Sequence, residues 1–116
     1  MQLAAVADKN IISPARLADS LRTTQREIGQ TIGVAPETLS RKSRVGSVAV
    51  QTKLRHLVEV LNAVTPMTGS AIMAYAWFRS EPLAGFGGRT PEQVVKDGEG
   101  DGLRSHIQRR LEGGYA

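Results

Sequence analysis

With 116 residues, no cysteine and a formal net charge of +4, the chain has room for one domain of ordinary size, with or without a small appendage. These figures exclude a large two-domain enzyme, a disulfide scaffold, a thiolate metal site and a cysteine nucleophile. The apolar fraction of 41% suits a packed core, and with only 4% aromatic residues that core is built from Leu, Ile, Val, Ala and Met.

The charge is unevenly placed. Residues 1–66 hold nine Lys and Arg against five Asp and Glu, whereas residues 67–116 hold six of each sign. A basic first half fits nucleic acid and fits ordinary solubility charge equally well. No stretch approaches the roughly 20 apolar residues of a membrane span. Met1 to Asn10 lacks the basic patch and apolar run of a secretion signal. A cytoplasmic protein with no membrane partner is expected.

In chain order the pattern is helical throughout, with no hairpin signal. Residues 1–12 read as a loosely patterned leader. Ser13-Pro14 is a cap followed by proline at the first helical position, and Leu17 and Leu21 share a face, which predicts a helix over 14–22. Thr24 caps a second helix to Ile32, ended by Gly33. A third starts near Pro36 and decays around Arg44 to Gly46. The stripe Leu54, Leu57, Val58, Leu61 predicts a core-facing helix over 50–64, which Pro66 breaks. The helix expected over 68–79 is apolar on most sides, so it is expected to pack against a partner or a second copy of the chain. After the Gly-rich loop 82–88, Thr90-Pro91-Glu92-Gln93 is a capping box opening a helix over 91–96. Beyond 97–102 the last helix carries Leu103, Ile107 and Leu111, with Gly113-Gly114 as its stop.

Gln25 to Lys42 reads as a helix-turn-helix. Gly29 stands where the second helix must pass close, Gly33 occupies the turn, and Ile28, Ile32, Val34 and Leu39 pin the helices together. The second helix then presents Glu37, Thr38, Ser40, Arg41 and Lys42, with Arg44 beyond. Gln25, Thr38, Ser40, Arg41, Lys42 and Arg44 are the candidate DNA contacts. Arg41 suits a bidentate pair with guanine, and Thr38 and Ser40 suit bases or phosphates. Lys42, Arg44, Lys53 and Arg55 suit phosphates. Ala35, in place of a polar cap, and the acidic Glu37 depart from a DNA-reading helix. A helix pair that packs without touching DNA is the plainer alternative.

Enzyme chemistry finds no footing. His56 and His106 are the only histidines and lack metal-ligand spacing. The stretch Gly85 to Thr90 lacks the strand and the Gly-Lys-Ser/Thr ending of a phosphate loop. Asp97 to Asp101 lacks the spacing and terminal Glu of a calcium loop. No catalytic residue, metal or cofactor is expected.

Three blocks of the second half carry a resemblance. They are Tyr75-Ala76-Trp77-Phe78-Arg79-Ser80-Glu81-Pro82-Leu83, then Gly87-Gly88-Arg89-Thr90-Pro91-Glu92, and Ile107-Gln108-Arg109-Arg110-Leu111-Glu112-Gly113-Gly114-Tyr115-Ala116. Their order and spacing, after an Xre-like helix-turn-helix, resemble the Xre/MbcA/ParS family of type II antitoxins, from Ser13 to the end. The resemblance implies an all-α protein: a helix-turn-helix bundle over 13–66, then a small helical toxin-binding and dimerisation domain over 67–116. It implies a homodimer that neutralises a RES-domain, NAD⁺-degrading toxin, its C-terminal end covering the toxin's active site, with autorepression through operator DNA. By position it assigns toxin binding to Arg109, Gly113, Gly114, Tyr115 and Ala116. Two glycines let the chain leave a helix and enter a concavity, and Tyr115 is an amphipathic anchor. Trp77 and Phe78 fit core or dimer packing better than direct toxin contact. A plain dimeric helix-turn-helix repressor is the alternative from a different class.

Overall fold

Side-chain caps set most of the helix starts. Hydroxyls of Ser13, Thr24, Ser47, Ser70 and Thr90 accept from the amides of Arg16, Glu27, Val50, Met73 and Gln93. Each satisfies one of the amides that a helix leaves without an internal partner. The structure, a computed structural model, describes residues 3–8 and 10–113. It is all-α apart from one two-stranded hairpin: α1 (Leu3–Val6), β1 (Ala7–Asp8), β2 (Ile11–Ile12), α2 (Pro14–Leu21), α3 (Gln25–Ile32), α4 (Pro36–Ser40), α5 (Lys42–Val45), α6 (Val48–Thr68), α7 (Ala71–Ser80), a 3₁₀ turn (Ala84–Phe86), α8 (Pro91–Lys96) and α9 (Gly100–Gly113).

Four sequence expectations are corrected. The leader over 1–12 holds a short helix and an antiparallel hairpin pairing Ala7 with Ile12 and Asp8 with Ile11. Asn10 takes φ 68° in the connection, a conformation that Asn tolerates better than most residues. The third helix does not run to residue 44. It stops at Ser40, and Arg41 is extended before α5 begins. The Ser40 hydroxyl donates to the Glu37 carbonyl at 3.0 Å, while the Arg41 amide turns to Thr38 instead. A side chain thus takes the acceptor that the next helical turn would have used.

Pro66 lies inside α6 and does not end it. Proline removes one amide, and the Thr65 and Thr68 hydroxyls back-bond the Leu61 and Val64 carbonyls around it. Gly69, at φ 98°, is the stop. α7 accordingly starts at Ala71 rather than Thr68 and is not buried on most sides. Ala74, Tyr75 and Phe78 face the core, while Ile72, Met73 and Ala76 are exposed.

α6 is the central element, packed against α7 and α9 and touched by α3, α5 and β2. Leu17, Ile28, Leu54 and Leu61 lie in one buried cluster with Ala74, Phe78, Val94 and Leu103. The boundary drawn at residue 66 therefore falls inside α6 and inside a core that both sides share. Among the described residues no single helix is long and apolar enough to cross a membrane.

Candidate nucleic-acid interface

The α3–α4 turn is built by two glycines. A Cβ on Gly29 would stand 2.7 Å from the Val34 carbonyl oxygen and 3.0 Å from Leu39 Cδ1, so no larger residue fits without movement. Gly33 caps α3 at φ 75°, a region that costs an L-residue about 1–2 kcal/mol. The Val34 amide closes the turn on the Gly29 carbonyl at 2.8 Å. Ile28, Ile32 and Leu39 are buried beneath it.

The candidate DNA contacts are placed as follows. Ser40, Arg41 and Arg44 are exposed, and Thr38 and Gln25 are half-buried. Lys42 opens α5. Gln25 and Ser40 meet at one cleft of about 500 Å³, whose floor and walls include Ile11, Pro14, Leu39 and Val45. Because the helix ends at Ser40, Arg41 and Arg44 do not continue its face. Arg41 stands on extended backbone and Arg44 on a separate short helix. Of the further cations, Arg55 is exposed and Lys53 half-buried on α6.

The candidate toxin contacts lie at the other end of the chain. Arg109 is exposed on α9 and lines a groove of about 670 Å³ between α6 and α9, together with Glu59, Asp101 and Arg104. Arg104 bridges it, 2.7 Å from Glu59 and 3.6 Å from Asp101. Gly113 is the last residue of α9. Gly114, Tyr115 and Ala116 lie outside the described residues. Phe78 is fully buried in the core, and Trp77 packs partly buried against it.

Four groups with clear roles carry at most a weak local sequence signal for those roles. Thr31 is fully buried. Its hydroxyl donates to the Glu27 carbonyl at 2.9 Å, so the Tyr75 hydroxyl, 2.8 Å away, donates to it. Burial pushes the Tyr75 phenol above its usual range. Arg79 pairs with Glu27, lies 3.6 Å from Glu92, and stacks over the Tyr75 ring, tying α3, α7 and α8 together. Gln51 binds three backbone groups far from it in sequence or across a turn. Their one visible hint is polarity in apolar surroundings: Thr31 beside Ile32, and Tyr75 within an apolar helix.

Other polar groups brace the fold. Arg89 joins Asp97 and Glu99, donates to the Phe86 carbonyl at 3.0 Å, and holds the Glu99 carboxyl below its usual range by hydrogen bonding. His106 packs edge-on against Phe86, and His56 lies 3.3 Å from Asp101. No family model, curated protein or solved structure matches the chain.

Proposed function

We propose that the chain is the antitoxin of a type II toxin–antitoxin pair. In this reading it is a cytoplasmic homodimer that neutralises a RES-domain, NAD⁺-degrading toxin by covering the active site with its C-terminal end. It also represses its own operon through α3 and α4. The observation that carries the DNA side is the tight α3–α4 turn at Gly29 and Gly33 beside exposed Arg41 and Arg44. The toxin side rests on the resemblance of the three blocks. Arg79 and Arg89 in those blocks brace the scaffold, and Arg109 is solvent-facing.

Deletion of residues 113–116 tests it. The truncated chain is expected to fold and to keep its DNA affinity, but to leave cells co-expressing the toxin depleted of NAD⁺. Equal protection by the truncated and full chains overturns the role of the tail. Purification without any co-purifying neighbouring gene product favours the plain repressor instead. On the DNA side, Arg41→Ala is expected to weaken operator binding by about 1–3 kcal/mol if Arg41 reads a base. Unchanged affinity argues against base readout from this position.

A further inference from the structure

Gln51 stands in the first turns of α6, and its carboxamide is bonded on both sides. Oε1 accepts the Ile12 amide at 2.8 Å, and Nε2 donates to the Ile12 carbonyl at 3.1 Å and to the Val45 carbonyl at 2.9 Å. Both amide protons are used, together with one of the two oxygen sites.

The partners explain the choice of residue. Ile12 ends β2, and strands of two residues leave backbone groups that need pairing. Gln51 gives Ile12 both an acceptor and a donor, as the peptide of a third strand would. Val45 is the last residue of α5, and carbonyls at a helix C-terminus lack internal partners. One side chain thus joins the hairpin to the end of the segment that carries Arg41 and Arg44. Burial of the Ile12 and Val45 side chains, 2% and 6% exposed, sets how deep each segment sits. Apolar contact is non-directional, however, and leaves the register of a four-residue helix loosely set. Directional bonds from a helix of 21 residues supply that register.

We propose that Gln51 is the positioning residue of the nucleic-acid face. Its clamp holds the 41–45 segment and the hairpin in fixed relation, and so fixes where Arg41 and Arg44 stand relative to the cleft that Ile11, Val45, Gln25 and Ser40 line. The proposal rests on the DNA-binding reading above.

The test uses the full chain with Gln51→Met, which keeps length and helix propensity but makes none of the three bonds. It also uses Gln51→Glu, which keeps the acceptor for Ile12 and loses both donors. Each is titrated against duplex DNA from the region just upstream of the gene and against a scrambled duplex of the same length. Both variants are expected to bind the upstream duplex about tenfold or more weakly, the loss that one unmade hydrogen bond implies. The affinity of Gln51→Met for the scrambled duplex, with its salt dependence, is expected to stay at the wild-type level, because phosphate attraction does not need register; Gln51→Glu adds a negative charge that weakens both duplexes alike, so it is read by the ratio of the two. Backbone amide resonances of residues 11–13 and 41–47 are expected to move, and those of α8 and α9 to stay.

A merely structural role would leave the ratio between the two duplexes at its wild-type value, and that result overturns the proposal. So do variants with wild-type affinity for the upstream duplex, or unmoved resonances at 41–47. A wild-type chain that binds neither duplex overturns the DNA-binding reading itself, and this role with it. That outcome is distinct from a wild type that binds with indifferent variants. If Gln51→Met fails to fold, Gln51→Glu carries the comparison.

Discussion

Three glycines in the first half face different surroundings, and the contrast makes a prediction. Gly29 is closed in by Val34 and Leu39, and Gly33 sits at φ 75°. Gly46 has φ −78°, and a methyl group there would meet nothing within 4 Å. Gly29→Ala forces backbone apart and is expected to cost about 1–3 kcal/mol. Gly33→Ala is expected to cost about 1–2 kcal/mol. Gly46→Ala is expected to be neutral or to stabilise by up to about 1 kcal/mol, by restricting the unfolded chain. Thermal unfolding of the three variants checks the order, and a destabilised Gly46→Ala would contradict it. Tyr75 supplies a second test. Its phenol is raised above the ordinary value of 10.0 by burial, so folding disfavours its ionised form. The corresponding stability is fully present below the unfolded value and is lost as pH rises through the folded one. Tyr75→Phe is expected to lose about 1 kcal/mol at neutral pH, with the Thr31 contact gone, and to unfold less steeply with alkali than wild type. Equal alkaline slopes would count against it.

At the scale of elements, α6 runs through Pro66, an exposed residue three places before Gly69. Pro66→Ala restores an amide for the Asn62 carbonyl, so it is expected to stabilise the chain by up to about 3 kcal/mol and to raise its melting temperature. A lower melting temperature would mean that the proline is needed for the turn of 106° between α6 and α7. The same element shows where sequence reading stops. Caps and the α3–α4 turn were legible because each is decided within five residues: Ser13 to Arg16, Thr90 to Gln93, Gly29 to Gly33. The break at Arg41 was not, since it depends on whether the Ser40 hydroxyl turns inward to Glu37 or outward to water. The hairpin was not, because two-residue strands show no alternation. For the candidate interface, exposure of Ser40, Arg41 and Arg44 was legible from their polarity. Gln51 was not, because its partner Ile12 is 39 residues away.

At the scale of the whole molecule, one core joins the basic half to the balanced half. The radius of gyration, 13.7 Å, is close to the roughly 13 Å of a compact domain of about 100 residues. Glu27 and Thr31 of α3 meet Arg79 and Tyr75 of α7, so the first helix of the turn unit and the Trp-bearing helix are bonded directly. A single cooperative transition is expected in urea. Fluorescence of Trp77, which reports on α7, should coincide with the loss of helical circular dichroism, which reports on every helix. Two separated transitions would show that the halves fold independently.

The corner between α6 and α7 leaves Met67 and Met73 47% and 55% exposed, with Ile72 beside Met73. Thioethers in such positions are open to peroxide, which turns each into a polar sulfoxide and adds one oxygen to its mass. The corner therefore carries its own chemical footprint. Whatever covers it slows the oxidation of both methionines, and oxidation beforehand makes the same face polar. Peptide mass spectrometry, with and without a binding partner, reads the occupancy of this surface without any label being attached.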